Sequence, residues 1–358
     1  MGKFLNKYKF YAITSIFLLL ICGFFLNEKL NKKFNPNYRL GVIFNSSAID
    51  KSYIRFYDDD LKFICEKKFN IGGIGTYCNT KIYNEKLYAL MQGTDYSAHH
   101  YMLEYDLNTG EYNILNIKQP FVLNFDLNDD YIFVANGTPG ANITKIERKS
   151  NKIDTISFEN IGPSNLVIFN NYLYAFLDDS YPPISKLYKI NPSDMKVIGE
   201  IDITNKATYH ENAICIKDEI YFCNNHKYLN TENYSVVPCN TLTKFNTRTN
   251  ELTDIKLEHD YPFQILHYKD KLIISHCDAG DIGDGVTVYN LKDGTQEYIT
   301  LENKVDRMDL YKDKIFIKTQ SKMDVYDADT FELIDTLKLE KLNKFGVRFG
   351  ATAFFIKP

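Results

Sequence analysis

Tryptophan is absent from the chain, and so is any Cys-x-x-Cys pair. No Gly-x-Ser-x-Gly, no Gly-rich phosphate loop and no Gly-x-Gly-x-x-Gly after a strand occurs, so hydrolysis by a nucleophile elbow and nucleotide binding have no motif to rest on. His210-Glu211 opens like a His-Glu-x-x-His zinc motif, but Ile214 stands where the second histidine belongs, in a loop setting. Basic residues are scarce outside the N-terminus. Residues 1–34 hold six Lys and one Glu, which leaves 36 basic against 45 acidic side chains in the remainder. A body this acidic argues against nucleic acid or an anionic lipid surface as partner, since both need clustered Lys and Arg.

What is present leans towards β-structure: 27 Tyr, 25 Phe and many Ile, with Asn, Asp and Lys gathered at turns. Phe10 to Leu26 is a 17-residue run without a charge, preceded by Lys3, Lys7 and Lys9. As a helix it would span about 26 Å, enough for the hydrocarbon core of a bilayer. The run continues into Phe-Phe-Leu-Asn-Glu-Lys rather than a small-residue cleavage site, so residues 1–34 read as an uncleaved signal-anchor with one transmembrane helix. Ile21 stands where a lipobox before Cys22 would have a small residue. A basic lead places the N-terminus inside, and residues 35–358 then sit on the extracytoplasmic side of the cell membrane.

Gln264 to Leu301 reads as four short strands in two hairpins, with apolar or β-branched residues at every second position. The same phrase recurs. Second strands begin at Leu87, Tyr131, Tyr172, Ile220, Leu272 and Ile315, spaced 44, 41, 48, 52 and 43 residues apart. A period near 45 with four strands per unit is the signature of propeller blades. A half unit at Tyr38 to Phe69 lacks its innermost strand, and Ala351 to Lys357 is a strand without a partner. Joining the two gives seven blades. The expected fold class is therefore all-β, a seven-bladed β-propeller closed by the C-terminal strand and preceded by one N-terminal transmembrane helix.

Leu87-Tyr88, Ile220-Tyr221, Asp106-Leu107-Asn108-Thr109-Gly110 and Val325-Tyr326-Asp327 resemble the repeats of the seven-bladed YVTN and quinoprotein-like propeller superfamily. The resemblance covers residues 38–358 and implies a fold rather than an activity. Lacking Trp, the chain lacks the tryptophan docking motifs of quinone-cofactor enzymes.

Antiparallel connectivity puts the turns between strands one and two, and three and four, on one face, here called lower. The loops between strands two and three, and from strand four to the next blade, form the upper face. The upper loops, Gly93 to His100, Gly137 to Asn142, Asp178 to Ile184, Thr204 to Ala213, His226 to Asn240 and Cys277 to Gly285, are the longer ones, and function gathers on long loops over a rigid scaffold. His210, His226, His259 and His276 fall on that face in the fifth and sixth blades or their connections, so with Glu211 they are the candidate catalytic set. His226, His276, Asp278, Asp281 and Asp284 are the weaker candidates for a divalent metal, although the three-residue spacing of the aspartates does not match an EF-hand loop. Cys223 and Cys239 flank a 15-residue loop and are placed for a bridge, against packing as free thiols. The expected function is recognition of a protein, peptide or glycan by the upper face. The alternative is a metal-dependent lyase or hydrolase with a His-rich site at the channel mouth, of the streptogramin-lyase kind that propellers of similar build resemble.

Overall fold

The computed structural model describes residues 34, 37–76, 78–95, 97–137, 141–180, 183–206, 210, 212–230, 235–278 and 281–358. These form seven antiparallel sheets, and six of them are four consecutive strands paired in chain order. Blade 2 comprises Lys81–Tyr83, Lys86–Thr94, Ser97–Asp106 and Tyr112–Asn116. Blade 3 has Val122–Leu127, Tyr131–Asn136, Asn142–Glu147 and Ile153–Ser157, and blade 4 Gly162–Phe169, Tyr172–Ser180, Pro183–Asn191 and Lys196–Asp202. Blade 5 has Ala213–Ile216, Glu219–Asn230, Ser235–Asn246 and Leu252–Lys256, and blade 6 Pro262–Tyr268, Lys271–Asp278, Asp281–Asn290 and Gln296–Thr300. Arg307–Tyr311, Lys314–Lys318, Lys322–Asp327 and Leu333–Lys338 make blade 7.

Blade 1 is assembled from both ends of the chain. Val347–Ile356 supplies its innermost strand and pairs antiparallel with Leu40–Asn45, which is followed by Ser52–Tyr57 and Phe63–Phe69. The expected closure by the C-terminal strand is therefore what the chain does. A short strand, Leu342–Lys344, folds back on the start of Val347–Ile356.

The core is a ring of seven apolar clusters, one at each junction between neighbouring blades. Leu87, Ala89, Leu103 and Tyr105 of blade 2 meet Ile43, Ile54 and Phe56 of blade 1. On the other side of blade 1, Leu40, Val42 and Phe44 meet Phe316, Met323 and Val325 of blade 7. Strand two of each blade is buried on both faces along its middle, which is why its residues run apolar almost without alternation, whereas outermost strands such as Ile153–Ser157 alternate. Innermost strands are also pinned to the next blade through side chains: Ile168 N donates to Asp126 Oδ2 (2.6 Å), Ile265 N to Asn212 Oδ1 (2.9 Å) and Met308 N to Gln264 Oε1 (2.9 Å).

Local chemistry sets the lower turns. Asp106 Oδ1 accepts the backbone N–H groups of Asn108 (2.9 Å) and Thr109 (2.7 Å), and Gly110 then takes φ 73°. Asn246 and Asp327 do the same in blades 5 and 7, at 2.9–3.1 Å. The repeated Asp/Asn-x-x-Thr phrase is thus an Asx turn that closes the third-to-fourth-strand hairpin.

The transmembrane helix expected over residues 10–26 lies outside the described residues. Among the described residues no helix is long and apolar enough to cross a membrane. The six body cysteines are free thiols. Cys223 sits across from Leu242 in the ladder, and the Cys239 thiol lies 3.3 Å from Thr241 Oγ1, so the bridge weighed above is not formed.

Candidate functional site

The upper face differs from its sequence expectation in one respect. Four of the six loops expected there are largely strand. The hairpin of blade 5 runs 12 residues on each side, that of blade 2 nine and ten, of blade 4 nine and nine, and of blade 6 eight and ten, against six and six in blade 3. Backbone pairing needs no apolar alternation, so the ladders continue beyond the ring through Asn, Asp, His and Lys. Six extra residues at about 3.3 Å each carry the blade 5 hairpin roughly 15–20 Å beyond the reach of the blade 3 hairpin. Blades 4, 5 and 6 are consecutive, so their hairpins stand side by side as a wall.

Beneath the wall a polar clasp repeats from blade to blade. A residue at the upper end of strand two binds a hydroxyl on strand three: Asn45 with Ser52 (2.5 Å), Asn136 with Thr144 (2.9 Å), Asp178 with Ser185 (2.6 Å), Asn224 with Thr243 (2.7 Å) and His276 with Thr287 (2.7 Å). The five hydroxyl residues are buried. His276 is thus the blade 6 member of a structural series. Its Nδ1–H donates to Asp260 O at 2.7 Å and its Nε2 accepts from Thr287, which commits both ring nitrogens. Burial, opposed by the Asp260 carbonyl, holds its pKa below the usual histidine value.

The other candidates scatter. His210 is fully buried between the rings of Phe176 and Phe222, its Nδ1 3.4 Å from Cys223 O and its Nε2 4.0 Å from Asp178 Oδ1. His226 lies on the blade 5 hairpin against Tyr261, with ring centroids 5.1 Å apart. His259 stacks on Tyr298 at 3.5 Å, and Tyr298 Oη donates to Asp284 Oδ1 at 2.8 Å. Of the four histidines, His259 and His276 come together, with centroids 6.0 Å apart. Glu211 and the side chains of Asp278 and Asp281 lie outside the described residues. No group of three or more His, Cys, Asp or Glu that could hold a metal ion occurs among the described residues.

Gly283 and Gly285, beside the candidate aspartates, serve packing. A Cβ on Gly283 would overlap the carbonyl of His276, and one on Gly285 would overlap Ile299 O and the Tyr298 ring. What the rim does present is half-buried imidazoles beside phenol rings: His226 with Tyr261, His259 with Tyr298, and His100 with Tyr101 at 4.6 Å. Such pairs offer flat apolar faces with polar tips to a peptide or a sugar.

The channel holds residues that the sequence reading missed. At its lower end a cavity of about 540 Å³ is lined by Lys81, Asp126, Asp309, Tyr83, Tyr311 and Phe355 among others. Asp126 and Asp309 occupy the same position in blades 3 and 7, in Phe125-Asp126-Leu127 and Met308-Asp309-Leu310, and each accepts the next residue's N–H. Asp126 also takes Lys81 Nζ (2.8 Å) and Ile168 N. Among the described residues Asp309 has its Leu310 bond alone, at 2.8 Å, and desolvation raises its pKa to about 6. Aligning the repeats on these two aspartates would have exposed the pair. At the upper end Arg307 reaches over blade 1, donating to Cys78 O and Thr76 O at 2.8 Å each.

No family model matches the chain, and no curated protein matches it in sequence. Solved structures do match. A functionally unknown protein from Desulfotomaculum acetoxidans DSM 771 is 14% identical, with a TM-score of 0.59 over 89% of this chain and 98% of that one. BamB from Moraxella catarrhalis is 10% identical, with a TM-score of 0.51 over 90% and 94% of the two chains. Dihydro-heme d1 dehydrogenase NirN, solved in complex with DHE, is 10% identical, with a TM-score of 0.55 over 86% and 74%. The shared feature is the β-propeller fold. At these identities the likeness is one of fold alone, and the neighbours' own activities do not transfer with it.

Proposed function

We propose that the protein is a recognition module: a propeller tethered to the cell membrane by residues 10–26, with its body on the extracytoplasmic side, that grips a protein or peptide partner with its upper face. The observation that carries this reading is the wall of lengthened hairpins on blades 4, 5 and 6. Among the described residues, exposed Lys227 and half-buried His226 stand on the raised part of blade 5, outside the clusters between blades and within a partner's reach. The imidazole–phenol pairs around the rim supply rigid, amphipathic contact area of the kind interfaces use. The likeness in fold to BamB is compatible with such a role. Glycan binding uses the same rings and is the competing outcome.

The test is a photo-crosslinking residue placed at exposed Lys227 on the blade 5 hairpin, or at exposed Lys149 on a lower turn, of the full-length protein in its own cells. Adducts to one defined polypeptide from position 227 and none from 149 are expected. Replacing Lys227–Val237 by Asn-Gly, a two-residue hairpin turn between the paired His226 and Pro238, should abolish those adducts while leaving thermal stability within a few degrees. Adducts that survive the trimming would sink the upper-face reading. Retention of the protein on oligosaccharide resin, lost with the same trimming, would replace the protein partner by a glycan.

A further inference from the structure

The chain enters the ring at a definite place, and that place has a consequence for how the ring sits on a membrane. Phe34 is seated on the lower face between blades 1 and 2. Its ring packs against Phe56 at 4.9 Å, Tyr38 at 5.6 Å and Tyr105 at 6.1 Å, all edge-on. Phe56 and Tyr105 stand at the lower ends of the third strands of their blades. Gly110, in the lower turn of blade 2, leaves room for the ring, since a Cβ there would press on it. Tyr38 fastens the next turn of chain by donating to Leu107 O at 3.2 Å. The entry point is therefore an aromatic socket rather than a loose end.

Upstream, the uncharged run ends at Leu26, leaving Asn27 to Lys33 as the connection to Phe34. Eight peptide steps of at most about 3.5 Å span no more than about 28 Å. To carry the ring with its upper face against the bilayer, this connection would have to pass outward beyond the fourth strand, about 10 Å, and then climb a strand of about 20 Å before meeting the raised hairpins. It is too short for that path.

We infer that the lower face, with the polar turns between strands one and two and between three and four, is the surface apposed to the membrane, and that the upper face with its hairpin wall points away from it. This rests on the membrane-tethered reading above and adds its orientation. The tether sets the orientation, not charge. Three basic side chains on the lower turns are matched by acidic neighbours: Lys269 with Asp329 (2.6 Å), Lys292 with Asp270 (2.6 Å) and Arg248 with Asp218 (2.5 Å). With these three cations paired on the lower turns, the tether rather than lipid charge is expected to set the orientation.

The absence of tryptophan makes the test clean. Lys149→Trp on a lower turn and Lys227→Trp on the blade 5 hairpin each introduce the sole indole. Both full-length variants are reconstituted in phosphatidylcholine vesicles carrying a dansyl-headgroup lipid, and energy transfer from indole to dansyl is recorded. Several-fold greater transfer from position 149 than from 227, unchanged when a quarter of the lipid is anionic, is expected. Equal transfer, or more from 227, in protein that floats with the vesicles overturns the orientation and leaves the tether intact. Orientation that appears only with anionic lipid overturns the tether as its cause. Protein that does not float with vesicles overturns the membrane reading itself, and the inference falls with it.

Discussion

Two ionisable groups, His276 buried and Asp309 half-buried against the lower cavity, put opposite slopes on the pH dependence of stability. His276 keeps a pKa below its usual 6.5, so between its folded value and 6.5 the unfolded chain binds the extra proton. Its contribution is fully present above about pH 6.5 and is lost as pH falls through the folded value. Asp309 is the reverse case. Raised from 3.8 to about 6, it makes the folded chain the better proton binder. The stability it contributes is fully present below about pH 4 and is lost as pH rises through 6. Asp309→Asn keeps an oxygen for the Leu310 N–H and removes the charge, so it should raise stability at pH 7 and remove the loss between pH 4 and 6. His276→Gln should lower stability at pH 8 by about 2–4 kcal/mol, since the Asp260 carbonyl and the Thr287 hydroxyl lose their partner, and should flatten the fall below pH 6.5. Urea unfolding of both variants from pH 4 to 8 checks the signs. A steeper fall on acidification in the Asp309 variant is required, because the opposing slope is gone.

Among the elements, the strands were legible and the hairpin ends were not. Second strands expected from Leu87, Tyr131, Tyr172, Ile220, Leu272 and Ile315 begin at Lys86, Tyr131, Tyr172, Glu219, Lys271 and Lys314. Burial on both faces writes those strands into the sequence as apolar runs bounded by turn residues. Above the ring that pressure disappears, so the ladder through Asn225 to Asn230 carries no pattern and reads as loop. The clasps were hidden for a related reason: Asn45, Asn136, Asp178, Asn224 and His276 put three residue types in one structural position, and their Ser or Thr partners lie 7 to 19 residues away. Histidine suggested chemistry at one of these sites because the other blades had not been overlaid on it. Asp278, Asp281 and Asp284 suggested a cation, whereas the glycines Gly283 and Gly285 among them answer a need for space. Gly283→Ala should cost roughly 1–3 kcal/mol, as expected for overpacking against backbone, with the loss seen in thermal unfolding and in weakened amide protection of Val305, whose N–H binds Gly283 O at 2.8 Å.

For the whole molecule the decisive contact is the one between its two ends. Val347–Ile356 gives Phe349, Phe354 and Ile356 to the cluster between blades 7 and 1, and Ala353 and Phe355 to that between blades 1 and 2. One strand therefore holds two of the seven junctions. Gly41 is required beneath it, since a Cβ there would overlap the Phe355 ring. Removing residues 347–358 would strip Leu40–Asn45 of its inner partner and leave an apolar strand edge open, which favours association between chains. The truncated protein should lose its single cooperative thermal transition and sediment as aggregate, because an open ring has a blade face at each end with nothing to cover it. A synthetic peptide of residues 340–358 added during refolding should restore a soluble monomer and part of the transition, as the missing strand and its short companion Leu342–Lys344 are then supplied in trans. A truncated chain that stays monomeric and melts like the full one would mean that six blades suffice and that the joined ends are ornament. The five bulky apolar side chains that residues 342–358 bury in the two clusters flanking blade 1, Leu342, Phe349, Phe354 and Ile356 on one side and Phe355 on the other, argue against that outcome, at about 1.5–3 kcal/mol for each one hidden from water.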